Sequence, residues 1–275
     1  MRERRWIVDT TLRDGEQSPG IAFTEQDKVE LAIMLDRIGV YEIEAGIPEM
    51  KVESLYYIEK IKEGCKNARI SLWSRMNVED VKNAVLYKPD LLHIGVPVSY
   101  IQIYSKLKKN KLWVQKTLED CMKVANEAKV EVTVGFEDAS RSDEGFLLSM
   151  ARLTRNLGGN MVRVADTVGV LTPPRAGSMV KKLVQEAGIE VEIHAHNDLG
   201  MAIANSIESA KSGAKYIDCT LFGVGERSGN CDIYKFLNAS DRLFDYGIDK
   251  KNVKELEKVF SKMLDRGNHD DSYTF

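Results

Sequence analysis

Two histidines stand one residue apart in VEIHAHNDLG, Val191 to Gly200, with Asn197 and Asp198 directly behind them. Successive side chains of an extended strand point to opposite faces, so His194 and His196 emerge on one side and Ala195 on the other. Two imidazoles on one face can share a ligand; the alternative is a hydrogen-bonded pair of core histidines. Three other segments are dense in functional groups. DTTLRDGEQ (Asp9 to Gln17) sets Arg13 beside Asp14, which could be a simple rim ion pair. EDASRSD (Glu137 to Asp143) opens on two carboxylates. GVGERSGN (Gly223 to Asn230) is a glycine loop without the G-x-x-x-x-G-K-[ST] spacing of a phosphate loop. Whether these groups meet depends on the elements that carry them.

Those elements are short β-rich runs, each followed by a longer amphipathic stretch, with no low-complexity segment or linker between them. Strands are expected at Trp6–Thr10, Tyr41–Ala45, Ile70–Trp73, Leu91–Ile94, Val130–Val134, Met161–Ala165, Val191–Ala195 and Tyr216–Thr220. Helices are expected at Glu25–Ile38, at Ser178–Ala187 behind the start signal Thr172-Pro173-Pro174, and at Asp232–Tyr246 and Asn252–Asp265. Eight βα units in about 250 residues predict a closed (β/α)8 TIM barrel, an α/β fold. A doubly wound sheet would carry G-x-G-x-x-G after its first strand, where this chain has LRDGEQ.

In such a barrel the reactive groups sit at the carboxyl ends of the strands, and the eighth strand lies beside the first. Almost every strand end here is polar: Arg13 and Asp14 after the first, Glu42 and Glu44 in the second, and His93 at the fourth. Glu137 follows at the fifth, Asp166 and Thr167 at the sixth, and the histidine pair at the seventh. The arc of the seventh, eighth and first strands gathers His194, His196, Asn230 and Asp14. That mixed nitrogen and oxygen set suits Mn²⁺, Mg²⁺ or Zn²⁺ with positions left for substrate.

Composition narrows the function from the other side. The 275 residues are 43% hydrophobic and 29% charged, with a formal net charge of -3, an ordinary globular balance with no basic excess for nucleic acid. The basic run Lys106 to Lys111 reads as a solvated helix end or turn. Cys65, Cys121, Cys219 and Cys231 are scattered like reduced thiols, and Cys231 reads as packing. No apolar run approaches the roughly 20 residues of a membrane span, and the N-terminus lacks a signal core, so a cytoplasmic enzyme is expected.

DTTLRDGEQ with Lys28 eleven residues beyond Gln17, followed by IHAHNDLG and GVGERSGN, resembles the homocitrate, isopropylmalate and citramalate synthases, the metal-dependent Claisen-condensing TIM barrels. EDASRSD, ADTVGV and GIP look most like the nitrogen-fixation type of homocitrate synthase. The resemblance covers nearly the whole chain. It implies a divalent metal on Asp14, His194, His196 and Asn230, with acetyl-CoA as co-substrate. It brings Arg13 and Gln17 to a 2-oxo acid and Thr167 to its carboxylate. It places Glu44 and His93 at or behind the substrate, and Glu137 in the acid/base apparatus. The reaction implied is condensation of acetyl-CoA with a 2-oxo acid, 2-oxoglutarate to homocitrate first among them, with thioester hydrolysis. Thr133 stands where eukaryotic-type homocitrate synthases have an arginine for the distal carboxylate, which keeps isopropylmalate and citramalate synthesis open.

Two rivals differ in class. Hydroxymethylglutaryl-CoA lyases resemble this barrel but carry a cysteine inside the glycine loop, whereas Cys231 lies just outside it. A catalytically silent metal-binding subunit is the other. The whole of 1–275 reads as one catalytic barrel domain, without the C-terminal linker and regulatory regions of full-length family members. His269, in the tail RGNHDDSYTF, is a poor substitute for the histidine those regions supply. A homodimer, or a hetero-oligomer with a chain supplying that region, is therefore expected. Replacing His194 or His196 by alanine should abolish metal binding and activity while leaving the far-ultraviolet circular dichroism unchanged, since rim residues contribute little to a barrel core. Full metal content in both purified variants would make the pair structural.

Overall fold

Each β-rich run of the chain is too short to bury its apolar side alone, and each amphipathic stretch behind it has one apolar face to lay against the run. The computed structural model describes residues 2–48 and 52–267. A two-residue β1 (Glu3–Arg4) precedes β2 (Trp6–Asp9), β3 (Glu42–Glu44), β4 (Arg69–Arg75), β5 (Leu91–Pro97), β6 (Glu131–Glu137), β7 (Met161–Asp166), β8 (Glu190–Ala195) and β9 (Tyr216–Cys219). Strands β2 to β9 close into a parallel barrel in sequence order, β9 returning to β2 in the register Trp6↔Tyr216 to Asp9↔Cys219. Around it run α1 (Glu25–Ile38), α2 (Val52–Gly64), α3 (Val78–Val85), α4 (Lys111–Glu127), α5 (Glu144–Asn156), α6 (Pro173–Lys182), α7 (Ala202–Lys211) and α8 (Ile233–Ser240). After α8 come β10 (Phe244–Asp245), which pairs with β1, and α9 (Lys250–Gly267). No described helix is long and apolar enough to cross a membrane.

Helix α1 shows how the sequence sets such an element. Thr24 and Asp27 form a reciprocal capping box, and Gly39 ends the helix at φ 92°, a left-handed position that glycine takes without strain. Between them Leu31, Leu35 and Ile38 bury one stripe in the core between helices and strands.

The eight expected strands all form, with ends shifted. The fourth runs three residues further than expected, to Pro97, so His93 sits mid-strand, fully buried, rather than at the mouth. Helix α6 begins at Pro173 and passes into wider turns over Leu183–Ala187, so the expected segment Ser178–Ala187 started too late. The helix expected over Asp232–Tyr246 stops at Ser240. There the Ser240 hydroxyl bonds back to the Phe236 carbonyl (2.6 Å) and accepts from the Tyr246 hydroxyl (2.8 Å), and the chain turns into β10. Lys106 to Lys111 is a helix end and turn, as expected. His269 lies outside the described residues.

The interior departs most from a usual barrel, whose layers are bulky and apolar. Arg163 of β7 is fully buried and makes ion pairs with Glu44 of β3 (2.9 Å), Glu192 of β8 (2.7 Å) and, more distantly, Asp218 of β9 (3.7 Å). Strands β3 and β7 are not neighbours, so this cation spans the interior. A matching deletion, Arg163→Met, keeps the volume but leaves these carboxyls facing one another in a dry site. Stability should fall by about 3–5 kcal/mol near neutral pH, read by urea unfolding. Burial alone would raise Glu44, but Arg13 and Arg163 hold it below its ordinary 4.5, so its contribution is present above that value and lost in acid. The deficit of the variant should therefore shrink as pH falls; a pH-independent loss would mean that packing alone is at stake.

Candidate active site

The chemically loaded strand ends converge on one open cavity of about 1000 Å³ at the mouth of the barrel. Arg13, Asp14, Gln17, Glu137, Thr167, His194 and His196 all line it. His194 and Glu192 point inward from β8, and the strand alternation carries His196 to the same side just beyond the strand end. Asp14 comes from the turn after β2, where the amides of Arg13, Asp14 and Gly15 all donate to the carbonyl of Thr10 at 2.8–3.1 Å. That turn aims Asp14 at the histidines.

The ligand atoms of Asp14, His194 and His196 lie within 4.8 Å of one another. Nε2 of His196 is 2.9 Å from Nε2 of His194, and Asp14 Oδ2 is 3.4 Å from Nε2 of His194 and 3.9 Å from Nε2 of His196. Donors about 2.1 Å from one cation at near-right angles lie about 3 Å apart, so the spacing fits a divalent ion. Two further observations support the fit. Nδ1 of His194 donates to Asp218 Oδ2 at 2.8 Å, which fixes the ring and frees Nε2 for a ligand. Asn230 gives its amide nitrogen to Asp14 and to the Val224 carbonyl, both at 3.0 Å, and its buried Oδ1 has no partner among the described residues. Gly225 is needed here, because a Cβ on it would lie 2.2 Å from the Asn230 amide.

Charge explains how such a set stays soluble in a buried site. Burial alone would raise Asp14, but Arg13 and the two imidazoles hold it well below the usual carboxylate range. Burial would lower His194, yet Asp218 and Asp14 push it up to about 10. Glu137 moves the other way from Asp14: burial raises it, against the opposing pull of Arg13 and His194. Its Oε2 accepts from the Thr167 hydroxyl (3.2 Å), which itself accepts from the Asp138 amide (2.8 Å). The single proton of Thr167 is thus given to Glu137.

Arg13 is clamped rather than free. Its Nε meets Glu44 at 2.5 Å and its Nη1 meets Asp14 at 2.9 Å, while its Nη2 has no hydrogen bond to a described residue. Glu44 and His93 stand behind the cavity wall, not on it. His93 has Nδ1 4.0 Å from Glu44 and neither ring nitrogen hydrogen-bonded among the described residues; burial, with Arg163 and Arg13 nearby, keeps it neutral. Sequence reasoning missed Asp218, Arg163 and Glu192. Their signal was a charge at an inward position of a strand whose neighbours are apolar, as Arg163 in MVRVAD and Glu192 in EVEIHA. It missed Arg227 too. That guanidinium pairs with Asp198 (2.9 Å), donates to the Thr167 carbonyl (2.7 Å) and lies 2.5 Å from Nδ1 of His196, with Glu226 3.8 Å from the same nitrogen.

The HMGL-like family model matches residues 4–259 of the chain. The chain is 44% identical to homocitrate synthase subunit alpha of Clostridium pasteurianum, over 94% of its own length and 97% of that protein's. It is 39% identical to 2-isopropylmalate synthase 2 of Caldanaerobacter subterraneus subsp. tengcongensis, over 92% of this chain and 66% of that one. In fold it is similar to hydroxymethylglutaryl-CoA lyase from Pseudomonas aeruginosa, with a TM-score of 0.82 at 17% identity, covering 96% of this chain and 94% of that one. If Asp218 sets the His194 ring, Asp218→Asn should weaken Mn²⁺ or Zn²⁺ binding by about 10–100-fold in calorimetric titration while the near-ultraviolet circular dichroism is retained. Unchanged metal affinity would reduce Asp218 to packing.

Proposed function

Because the chain belongs to the HMGL-like family, we propose that the mouth of its barrel condenses acetyl-CoA with a 2-oxo acid, 2-oxoglutarate giving homocitrate, and hydrolyses the thioester. The observation that carries this reading is the convergence of an Asp14, His194 and His196 donor set with the clamped guanidinium of Arg13 on one wall and the raised carboxyl of Glu137 on the other.

The family is metal-dependent. A divalent cation on Asp14, His194, His196 and Asn230 would supply Lewis acidity to the keto group of a chelating 2-oxo acid. Mn²⁺, Mg²⁺ and Zn²⁺ all suit that donor set. The chain's own residues do the rest. Arg13 offers Nη2 to the oxygen on which negative charge grows as the new carbon–carbon bond forms. Two of its nitrogens are already fixed by Glu44 and Asp14, so no reorganisation is needed at that moment. Glu137, with its affinity for protons raised by burial, takes the proton from the acetyl methyl group and holds it at Oε2 beside the Thr167 hydroxyl. Gln17, exposed at the rim, orients the acid, and Thr167, whose side chain lines the same wall, acts on it through its hydrogen bond to Glu137. Glu44 and His93 act from behind, Glu44 through its hold on Arg13.

The barrel is read as one catalytic domain that works with a second polypeptide. Support comes from the Clostridium relative, which is named as an alpha subunit and is covered over 97% of its length. The test is CoA release by the native assembly against several 2-oxo acids, with and without added metal. 2-Oxoglutarate should give the highest kcat/KM, and chelation should abolish turnover. A preference for pyruvate or 2-oxoisovalerate would replace homocitrate by citramalate or isopropylmalate synthesis and leave the condensing mechanism intact.

A further inference from the structure

One residue beside the metal-ligand arc holds a backbone conformation that its own side chain opposes. Phe222 stands at φ 56° and ψ 6°, in the left-handed region, and Gly223 follows at φ 70°. They are the two central residues of a tight turn, closed by the Val224 amide on the Leu221 carbonyl at 3.1 Å. Turns with positive φ at both central positions favour glycine, asparagine or aspartate, because other side chains bring Cβ against the following carbonyl oxygen. A phenylalanine has no such escape, so something outside the turn must hold it there.

The turn bears directly on Asn230. The Gly223 carbonyl accepts from the Asn230 backbone amide at 2.8 Å, and the Val224 carbonyl accepts from the Asn230 side-chain nitrogen at 3.0 Å. The same side-chain nitrogen reaches Asp14 at 3.0 Å. Residues 223 and 224 thus fix both the backbone and the side chain of Asn230. Relaxation of Phe222 to a negative φ would swing the Gly223 carbonyl away from the Asn230 amide and leave Oδ1 of Asn230 without a fixed direction.

What holds Phe222 is a helix outside the eight βα units. The Phe222 ring, although 42% of the residue is exposed, stacks on Phe260 of α9 with centroids 5.8 Å apart and planes at 29°. Phe260 is fully buried, and its ring also meets Phe23 at 5.9 Å, on the segment that leads from the Asp14 turn into α1. Glu257, three residues earlier on α9, is buried as well, and the Phe222 amide pulls against the burial that pushes its carboxyl up to about 7. Val253, Leu256 and Met263 bury the rest of that helix face, so α9 has a seat of its own, independent of Phe222.

We propose that Phe260 is a positioning residue of the metal site: its ring holds Phe222 in the left-handed turn that sets Asn230, so α9 acts on the donor set through Asn230. This rests on the divalent-cation site proposed above. The stacked rings offset the strain at Phe222, and the turn they stabilise is the one in which Asn230 faces Asp14.

Mn²⁺ is titrated calorimetrically into the native assembly, wild type against Phe222→Ala, Phe222→Gly and Phe260→Leu, with near-ultraviolet circular dichroism as the check on folding. Alanine keeps the backbone strain and loses the ring, so the competent turn is depopulated and affinity should fall about tenfold. Glycine takes the turn without strain, so affinity should stay within about threefold of wild type. Phe260→Leu should weaken binding when Phe222 is present and not in the Phe222→Gly background, where no strain is left to offset. Adding Phe222→Ala to Asn230→Ala should cost no further affinity. Alanine and glycine variants that both bind like wild type overturn the proposal. A glycine variant as weak as the alanine variant does so too, because the loss then belongs to the missing ring and not to the turn. A further loss from Phe222→Ala on top of Asn230→Ala overturns the route through Asn230. A wild type that binds no Mn²⁺ removes the metal site itself and this inference with it.

Discussion

A guanidinium buried at the base of the cavity is almost stripped of solvent, so Arg163 can stand only where carboxylates from several strands come to it. Glu44, Glu192 and Asp218 do so, from β3, β8 and β9. Each of two of these acids then has a second task. Glu44 grips Arg13 at 2.5 Å, and Asp218 holds the His194 ring at 2.8 Å while accepting from Thr10 at 2.7 Å. The cationic and imidazole groups at the mouth are thus anchored through one buried cation at the base of the same cavity. Such a network adds little net stability, because the desolvation of every member opposes it. Its effect is geometric: neither Arg13 nor His194 can turn without breaking a pair in a low-dielectric site.

The protons of this interior follow from crowding. Among the described residues Asp14, Glu44, Glu192 and Asp218 crowd around Arg13, Arg163 and His194, with Glu42 close by. Burial raises Glu192 well above the carboxylate range despite Arg163, and raises Glu42 to about 7. Burial thus raises the proton affinity of these two, while Glu44, between two guanidinium groups, is driven toward its charged form. The same contrast recurs at the mouth. Asp14, against Arg13 and the histidines, is driven to the charged form that binds a cation, and Glu137, dominated by burial, is driven toward the form that exchanges a proton. Two carboxyls that feel the same guanidinium are given different work by their surroundings.

The architecture was legible because each of its signals is local. The bounds of Glu25–Ile38 follow from Thr24 in front and Gly39 behind, and the histidine pair follows from period-two alternation. Ring closure then brings Asp14 and Asn230 to that pair, a rule of the fold rather than a feature of any one segment. What stayed hidden depends on depth or on partners. A strand pattern says that His93 faces inward but not that β5 continues to Pro97 and leaves it below the cavity. It says that Arg163 faces inward, but not that acids from three other strands meet it there. The helix expected over Asp232–Tyr246 failed for a similar reason: the pairing of Phe244 and Asp245 with Glu3 and Arg4, some 240 positions away, outweighs local periodicity.

The walls of the cavity divide the labour between chemistry and shape. The groups that could hold a metal and stabilise charge come from β2, β8 and the loop after β9. The space in front of them is made by small residues on the opposite arc. A Cβ on Gly95 of β5 would lie 2.7 Å from the Trp73 ring and 3.2 Å from Glu137. Ala165 of β7 completes that side. A change of side-chain size at Gly95 of β5 or Ala165 of β7 therefore alters which acid fits without touching the donors that activate it. A change at Asp14, Arg13 or Asp218 alters the activation of any acid that enters. One barrel can then be tuned to several 2-oxo acids by substitutions at the small residues of one arc, because Glu44 and Asp218 fix Arg13 and His194 without contact from those positions.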